Sequence, residues 1–147
     1  MNKYAQAALE TAKLCSQNKQ ISPRIAWEQV TSHIFGKGTS SQKKGCPRDA
    51  FLGLCEEGLV KDIPAGNYCD SSKNKRYALS AIALLKQDST ISNQPPLLLW
   101  KRVMKGEQKV HNSQMDVVSA LWNSNLLIPT NTAHLLTSPS REEEESN

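Results

Sequence analysis

One helical pattern occurs twice in this chain, and this duplication constrains the fold more than any other feature of the sequence. Ala26–Val30 and Leu99–Val103 each place a tryptophan three residues before a valine, on a segment that ends at a glycine. A helix pair cannot bury its apolar face alone, and a second copy supplies the partner surface. The pattern therefore predicts that Trp27 and Trp100 are matched core residues.

A second matched segment follows each tryptophan. Asp49–Val60 aligns with Asp116–Leu127, and Gly58 stands opposite Asn125. Gly and Asn are the residues that most readily adopt the left-handed conformation after a helix, so both positions are predicted helix ends. The offset between copies is 73 at the tryptophans and 67 here, so the connection in the second copy is six residues shorter.

Apolar periodicity and helix-boundary residues predict an all-α fold, a compact bundle of about six helices. It consists of two pseudo-repeated helix pairs and a linking helix. We expect residues 1–130 to form a single helical domain and residues 131–147, with Glu142–Glu145, to form a flexible acidic tail in which Leu135 and Leu136 dock. The predicted helices are 3–18, 23–35, 47–57, 74–87, 96–105 and 112–124.

Composition narrows the class of protein. No apolar run approaches the roughly 18 residues that a membrane span requires, and the first residues lack the layout of a signal peptide. Both observations favour a cytoplasmic protein without a membrane partner. The four cysteines contain no C-x-x-C pair, so we predict reduced thiols, no metal site and no cofactor.

Two long motifs carry a resemblance to a known family. Residues 46–60 read CPRDAFLGLCEEGLV, and residues 111–118 read HNSQMDVV. These motifs, with Ile63-Pro64 and Tyr77-Ala78, resemble a family of small uncharacterised bacterial proteins, a domain of unknown function that covers most of residues 1–127. The resemblance implies a bacterial, cytosolic protein and no particular mechanism.

Basic residues dominate the charged surface. Residues 1–140 carry 17 Lys and Arg against 10 Asp and Glu. A basic body attracts polyanions, although many solvated surfaces have the same composition. Lysines and arginines cluster near residues 37–48, 73–76 and 101–109. The candidate nucleic-acid contacts are Lys43, Lys44, Arg48, Lys73, Lys75 and Arg76.

A helix ending in Gly-Leu-Val, followed by the turn-rich stretch 63–77, is typical of a winged helix-turn-helix. In that interpretation the helix 47–57 is the recognition helix. Two features weigh against it. The stretch lacks the alternating β-branched residues of a wing hairpin, and Glu56 and Glu57 would repel phosphates. The favoured hypothesis is a non-enzymatic binding or accessory module whose partner is nucleic acid or another protein.

A thiol-dependent enzyme is the alternative hypothesis. Cys46 precedes Pro47 near a helix N-terminus and beside a basic loop, and both features lower the pKa of a thiol. Were the two copies packed about a two-fold, His111 would approach Cys46 as a base, oriented by Asn112 or Asp116. Helix capping explains the same residues. Cys46, His111, Asn112 and Asp116 are the weak catalytic candidates.

Overall fold

The computed structural model describes residues 1–128. The expectations for Leu135, Leu136 and the acidic tail lie outside the described residues. Six α-helices and one short 3₁₀ helix, Ser89–Asn93, make up the described part, and the only β-type pairing in it is an isolated bridge. The all-α prediction is confirmed. The helices are α1 (Lys3–Gln17), α2 (Pro23–Phe35), α3 (Gly45–Glu56), α4 (Ser72–Gln87), α5 (Pro96–Met104) and α6 (Gln114–Asn123).

Local sequence sets most of the helix starts. The side chains of Asn2, Ser22 and Ser71 accept hydrogen bonds from backbone N–H groups in the first turns of α1, α2 and α4. Each bond satisfies a donor that has no partner within the helix. Proline occupies the first helical position of α2 and of α5, where its missing N–H costs nothing.

The repeated unit contains three helices rather than two. α1 packs on α2 and α6, and α4 packs in the corresponding way on α5 and α3. Tyr4 and Tyr77 lie on α1 and α4 at the same offset of 73 that relates Trp27 to Trp100. The helix expected to link two pairs, α4, is therefore the first helix of the second unit, and α1 is its counterpart. We call α1–α3 the first unit and α4–α6 the second unit.

Reciprocal hydrogen bonds join the two units at a seam, which we define as residues 59–61 paired with residues 126–128. Val60 and Leu127, which are equivalent at offset 67, form an antiparallel bridge. The N–H of Lys61 donates to the carbonyl of Leu126 at 2.8 Å, and the N–H of Ile128 donates to that of Leu59 at 2.8 Å. The reciprocity is what a two-fold relation between the units requires.

The ends of α3 and α6 have the same geometry. Gly58 and Asn125 adopt left-handed φ angles of 71° and 57°. The N–H of Gly58 donates to Cys55 at 2.9 Å, and that of Asn125 donates to Trp122 at 3.1 Å. Both positions are therefore helix ends, as their sequence alignment predicts.

The tryptophans are buried core residues, as predicted. Trp27 is 2% exposed and stacks on Phe51 with 5.3 Å between ring centroids. Trp100 is 3% exposed and meets Tyr77 edge-on at 5.2 Å. Each tryptophan thus packs against an aromatic ring of its own unit.

The central helix is α3, and this position corrects the interpretation of α3 as a recognition helix. Pro47 and every residue from Asp49 to Cys55 are buried. A helix that reads bases needs an exposed face for the groove. Gly53 allows α4 to approach closely, because a Cβ at that position would lie 2.5 Å from the Cβ of Lys75.

Candidate nucleic-acid interface

Lys75 is not on the basic surface where the sequence analysis placed it. It is 3% exposed, and its ammonium group forms ion pairs with Glu56 at 2.6 Å and with Glu57. Burial alone would raise the pKa of Glu56, but hydrogen bonds from Lys75 and from the backbone N–H groups of Cys69 and Tyr68 hold it below its ordinary value. This cluster fixes α4 on α3, and the ammonium group of Lys75 is not presented to solvent.

Arg48 is also engaged within the chain. Its guanidinium donates to both carboxylate oxygens of the buried Asp49 and lies 3.7 Å from Asp70. Burial opposes its charged form, but the hydrogen bond and negative charge of Asp49, together with the charge of Asp70, raise the pKa of Arg48. A guanidinium flanked by two carboxylates is a poor phosphate ligand.

The loop after α3 is held against the bundle and is not a wing. The N–H groups of Tyr68 and Cys69 donate to Glu56, and Arg24 donates to the carbonyl of Tyr68 and to the carboxylate of Asp70. No residue between 61 and 71 belongs to a strand. The winged helix-turn-helix interpretation is wrong on this point.

The remaining predicted contacts lie in two places. Lys43 is exposed in the α2–α3 connection, and Lys44 precedes α3 with its ammonium 5.8 Å from the ring centroid of Tyr4. Lys73 is exposed in the first turn of α4, one turn of helix before Arg76 and Tyr77.

A cleft lies between α4, the end of α5 and the connection that follows α5. Its volume is about 670 Å³, which is within the range of small-molecule sites. We call it the basic cleft, because three cations and only one carboxylate line it. The polar lining comprises Arg76, Tyr77, Ser80, Gln87, Lys105, Glu107 and Lys109.

Lys109 is held across the basic cleft. Its ammonium donates to the hydroxyl of Tyr77 at 3.3 Å and lies 6.0 Å from the centroid of the same ring. The hydrogen bond from Lys109 to Tyr77 raises the pKa of Lys109, so its charge is retained at neutral pH. The structure therefore brings a lysine of the third basic cluster beside Arg76 of the second cluster.

The length of α5 explains why the basic cleft is open. α2 and α5 begin at equivalent prolines, but α5 ends four residues earlier, where Lys105 and Gly106 adopt φ angles of 51° and 93°. In the first unit the extra helical turn carries Phe35, whose ring packs on Tyr4 at 4.7 Å. The second unit has no equivalent turn of helix beside Tyr77.

The sequence predicts a connection that is six residues shorter in the second copy, and the structure assigns this difference to the helices on either side of it. α2 has four more residues than α5 at its end, and α3 has two more than α6 at its start. The connections themselves, 36–44 and 105–113, have the same length. The six-residue difference is therefore a difference in helix length.

A second depression lies between α5 and the α5–α6 connection, and we call it the apolar groove. Its volume is about 490 Å³, and its apolar lining comprises Leu97, Trp100, Met104 and Val110. Leu97 is 50% exposed and Val110 is 77% exposed. Lys101, Lys109 and His111 also line it. The indole N–H of Trp100 donates to the carbonyl of Lys109 at 2.9 Å, which fixes the connection over the groove.

In the described residues His111 lies beside Asp116, but no contact joins Cys46 to either of them. Cys46 is half-buried in the first turn of α3, and its thiol makes no hydrogen bond or ion pair within residues 1–128. His111 has other partners: its Nε2 accepts from the N–H of Met115 at 3.1 Å and lies 3.8 Å from Asp116. His111 thus supplies a helix cap to α6. Asn112 donates its backbone N–H to the side chain of Gln114 at 2.6 Å.

The electrostatics of His111 favour its neutral form. Burial lowers the pKa of His111, the charge of Asp116 opposes that shift, and the positive charge of Lys44 adds to it. Burial also raises the pKa of Asp116. An imidazole whose Nε2 accepts a backbone hydrogen bond is a structural acceptor rather than a free base.

Of the other thiols, those of Cys15 and Cys55 are buried and that of Cys69 is half-buried, and all three are held in the protonated form. Burial raises the pKa of Cys15 and of Cys55, and it raises the pKa of Cys69 to about 12. All four cysteines are free. Among residues 1–128, no group of three acidic, histidine or cysteine side chains is arranged to hold a metal ion. No helix in the same range has the length and apolarity that crossing a membrane requires.

Sequence reasoning missed Lys105 and Lys109 as site residues, although it recognised the cluster that contains them. The signal that identifies them is Gly106, which stands one helical turn closer to Trp100 than Gly36 stands to Trp27. That spacing indicates a shortened helix and an uncovered face of α4.

Comparison with known proteins identifies one family. Residues 1–128 match the family described as "Family of unknown function (DUF6979)". No curated protein and no solved structure matches the chain.

Proposed function

We propose that this chain, which belongs to the family of unknown function DUF6979, is a non-enzymatic module that binds nucleic acid through the basic cleft. The single observation that carries the proposal is the basic cleft itself. It combines Arg76, Lys105 and Lys109 in a concave site with one opposing carboxylate. The resemblance to a bacterial family further suggests a bacterial, cytoplasmic setting.

The chemistry of the basic cleft suits a phosphodiester backbone. A guanidinium and ammonium groups donate to phosphate oxygens, and the hydroxyls of Ser80 and Tyr77 provide neutral donors beside them. Lys73 precedes the cleft on α4, and Lys101 and Arg102 are exposed on α5. A strand of nucleic acid that follows these cations would make several phosphate contacts in succession. Such contacts give affinity without base specificity.

The test is a fluorescence anisotropy titration of a labelled 20-nucleotide single strand at several salt concentrations. We expect binding that weakens linearly in log–log form with salt, because each neutralised phosphate releases a counterion. Lys105→Ala with Lys109→Ala should weaken binding about tenfold and reduce the salt slope by about two.

Equivalent residues in the first unit supply the control. Lys3 is the counterpart of Arg76 at offset 73 but lies beside Phe35, with its ammonium 6.0 Å from that ring. We expect Arg76→Ala to weaken binding about three- to tenfold and Lys3→Ala to change it little. Equal losses in both variants, or no binding at low salt, would refute the basic cleft as the binding site.

The thiol-enzyme alternative has less support. His111 uses Nε2 as an acceptor for the N–H of Met115, and its ring packs 5.2 Å from Trp100. Its hydrogen-bond and ion-pair partners, Met115 and Asp116, belong to the second unit, whereas Cys46 belongs to the first. Selective alkylation of Cys46 near neutral pH, faster than that of a free cysteine, would revive this alternative.

A further inference from the structure

We infer that residues 129–147 of this chain dock across the α5–α6 connection, with Leu135 and Leu136 in the apolar groove and Glu142–Glu145 against the cations of the basic cleft. Docking itself is independent of the proposed function. Its consequence, competition with nucleic acid, rests on that function.

The two depressions lie side by side, and each is complementary to one part of this segment. The apolar groove and the basic cleft share Met104, Glu107 and Lys109 in their linings. In the segment, paired leucines precede four consecutive glutamates, with one cation, Arg141, between them. Apolar residues therefore come first and acidic residues second, which matches an apolar site that adjoins a cationic one.

The reach of the chain is sufficient. The groove is lined by residues up to His111, just before α6, and the described part ends at Ile128, just after α6. A helix of the length of α6 spans roughly 15 Å. The seven residues from Ile128 to Leu135 span up to about 25 Å when extended. The glutamates begin six residues after Leu136, which adds up to about 20 Å.

The groove presents apolar surface that is otherwise uncovered within residues 1–128. Leu97 and Val110 are at least half exposed, and contiguous exposed apolar surface marks an interaction site. Because the segment belongs to the same chain, its effective concentration at the groove is about millimolar. A match of the leucines and glutamates to the two sites is therefore mostly occupied when its dissociation constant lies below about millimolar.

Carbodiimide cross-linking of the full chain tests the docking directly. This reagent couples a carboxylate to an adjacent ammonium group, and peptide mass spectrometry identifies the joined residues. We expect intramolecular links from Glu142–Glu145 to Lys105 and Lys109, and none to Lys3, Lys13 or Lys37 of the first unit. Links spread evenly over the lysines, or links found only in covalent dimers, would overturn the inference.

The leucines provide a variant that keeps all charges. Leu135→Ser with Leu136→Ser should reduce the cross-links to Lys105 and Lys109 severalfold. The same variant should raise the affinity for the labelled single strand about fivefold, which is within the usual range of coupling between sites. Unchanged cross-links in this variant would refute the groove as the docking site.

A charge variant completes the design. Replacing Glu142–Glu145 with glutamine should also raise the affinity about fivefold or more. The matched change Glu10→Gln with Glu28→Gln, at exposed positions of α1 and α2, should have little effect. Specific cross-links without nucleic-acid binding would refute the proposed function and leave the docking intact. Nucleic-acid binding without specific cross-links would refute the docking and leave the proposed function intact.

Discussion

The first and second units have the same arrangement of three helices, but they differ at one surface. The face of α1 beside Tyr4 is covered, and the equivalent face of α4 beside Tyr77 is not. In the first unit the last turn of α2 places Phe35 against Tyr4. In the second unit α5 stops at Met104, and the equivalent face of α4 beside Tyr77 forms the basic cleft. The features that both units share therefore support the fold, whereas the candidate site lies where one helix is shorter.

A second difference concerns how closely the helices pack. Gly53 of α3 and Ala120 of α6 are equivalent at offset 67. A Cβ at Gly53 would lie 2.8 Å or less from three atoms of Lys75, including its Cα. The second unit accommodates a methyl group at the same position, so α6 and α1 need not approach as closely as α3 and α4 do.

The largest expected effect follows from this second difference. Gly53→Ala should reduce the free energy of unfolding by about 3 kcal/mol, because the new methyl overpacks the α3–α4 contact. Ala120→Gly, the matched change, should cost only about 0.5–1 kcal/mol through backbone entropy. Urea denaturation of both variants measures the two losses. Similar losses would show that the units pack alike.

A smaller loss of stability should follow when the ring that covers Tyr4 in the first unit is removed. Phe35→Ala removes a half-buried ring from Tyr4 and should cost about 2 kcal/mol, less than a fully buried phenylalanine. Gln108, the exposed counterpart at offset 73, should tolerate alanine within about 0.5 kcal/mol. Thermal denaturation of the two variants compares them. An unchanged melting temperature in Phe35→Ala would show that the last turn of α2 does not stabilise the first unit through Tyr4.

The smallest expected effect is a pH dependence of the free energy of unfolding, which arises from residues of the second unit. Because the pKa of folded His111 is lowered, the folded state binds fewer protons than the unfolded state below about pH 6.5. The contribution of His111 is complete above that pH and is lost as the pH falls through the folded pKa. Asp116, whose pKa is raised, acts with the opposite sign near pH 4.

Urea denaturation at pH 7.5, 6.0 and 5.0 measures this dependence. His111→Gln keeps an acceptor for the N–H of Met115 and should flatten the profile. His33→Gln, at an exposed position of α2, should leave the profile unchanged. A wild-type slope in the His111 variant would assign the dependence to another group.

Much of the fold could be predicted from sequence because its determinants are local. Ser22-Pro23 and Gly58 mark helix boundaries through backbone geometry alone, and the Trp27–Trp100 match identifies the core. The sequence does not identify α1 and α4 as counterparts, because the residues that they share besides Tyr4 and Tyr77 are alanines and a lysine, which are common in any helix. Local patterns do not show which helices will pack.

Only part of the candidate site could be predicted, because the sequence does not show which charged side chains form ion pairs within the folded chain. Lys75 and Arg76 are neighbours in one basic run, yet Lys75 is buried against Glu56 and Arg76 lines the basic cleft. One residue, a rotation of about 100° around the axis of α4, separates the two outcomes. Lys109 enters the site only because α5 ends early, which depends on the geometry of Lys105 and Gly106.

The seam also shows which kind of symmetry relates the two units. Its two hydrogen bonds are reciprocal, from Lys61 to Leu126 and from Ile128 to Leu59, so each unit offers the other the same surface. That is the signature of an isologous interface, the kind found in two-fold homodimers. The two units are therefore arranged within one chain as the subunits of a two-fold homodimer are. Among the described residues the basic cleft breaks this symmetry, because it belongs to the second unit and its counterpart in the first is covered by Phe35.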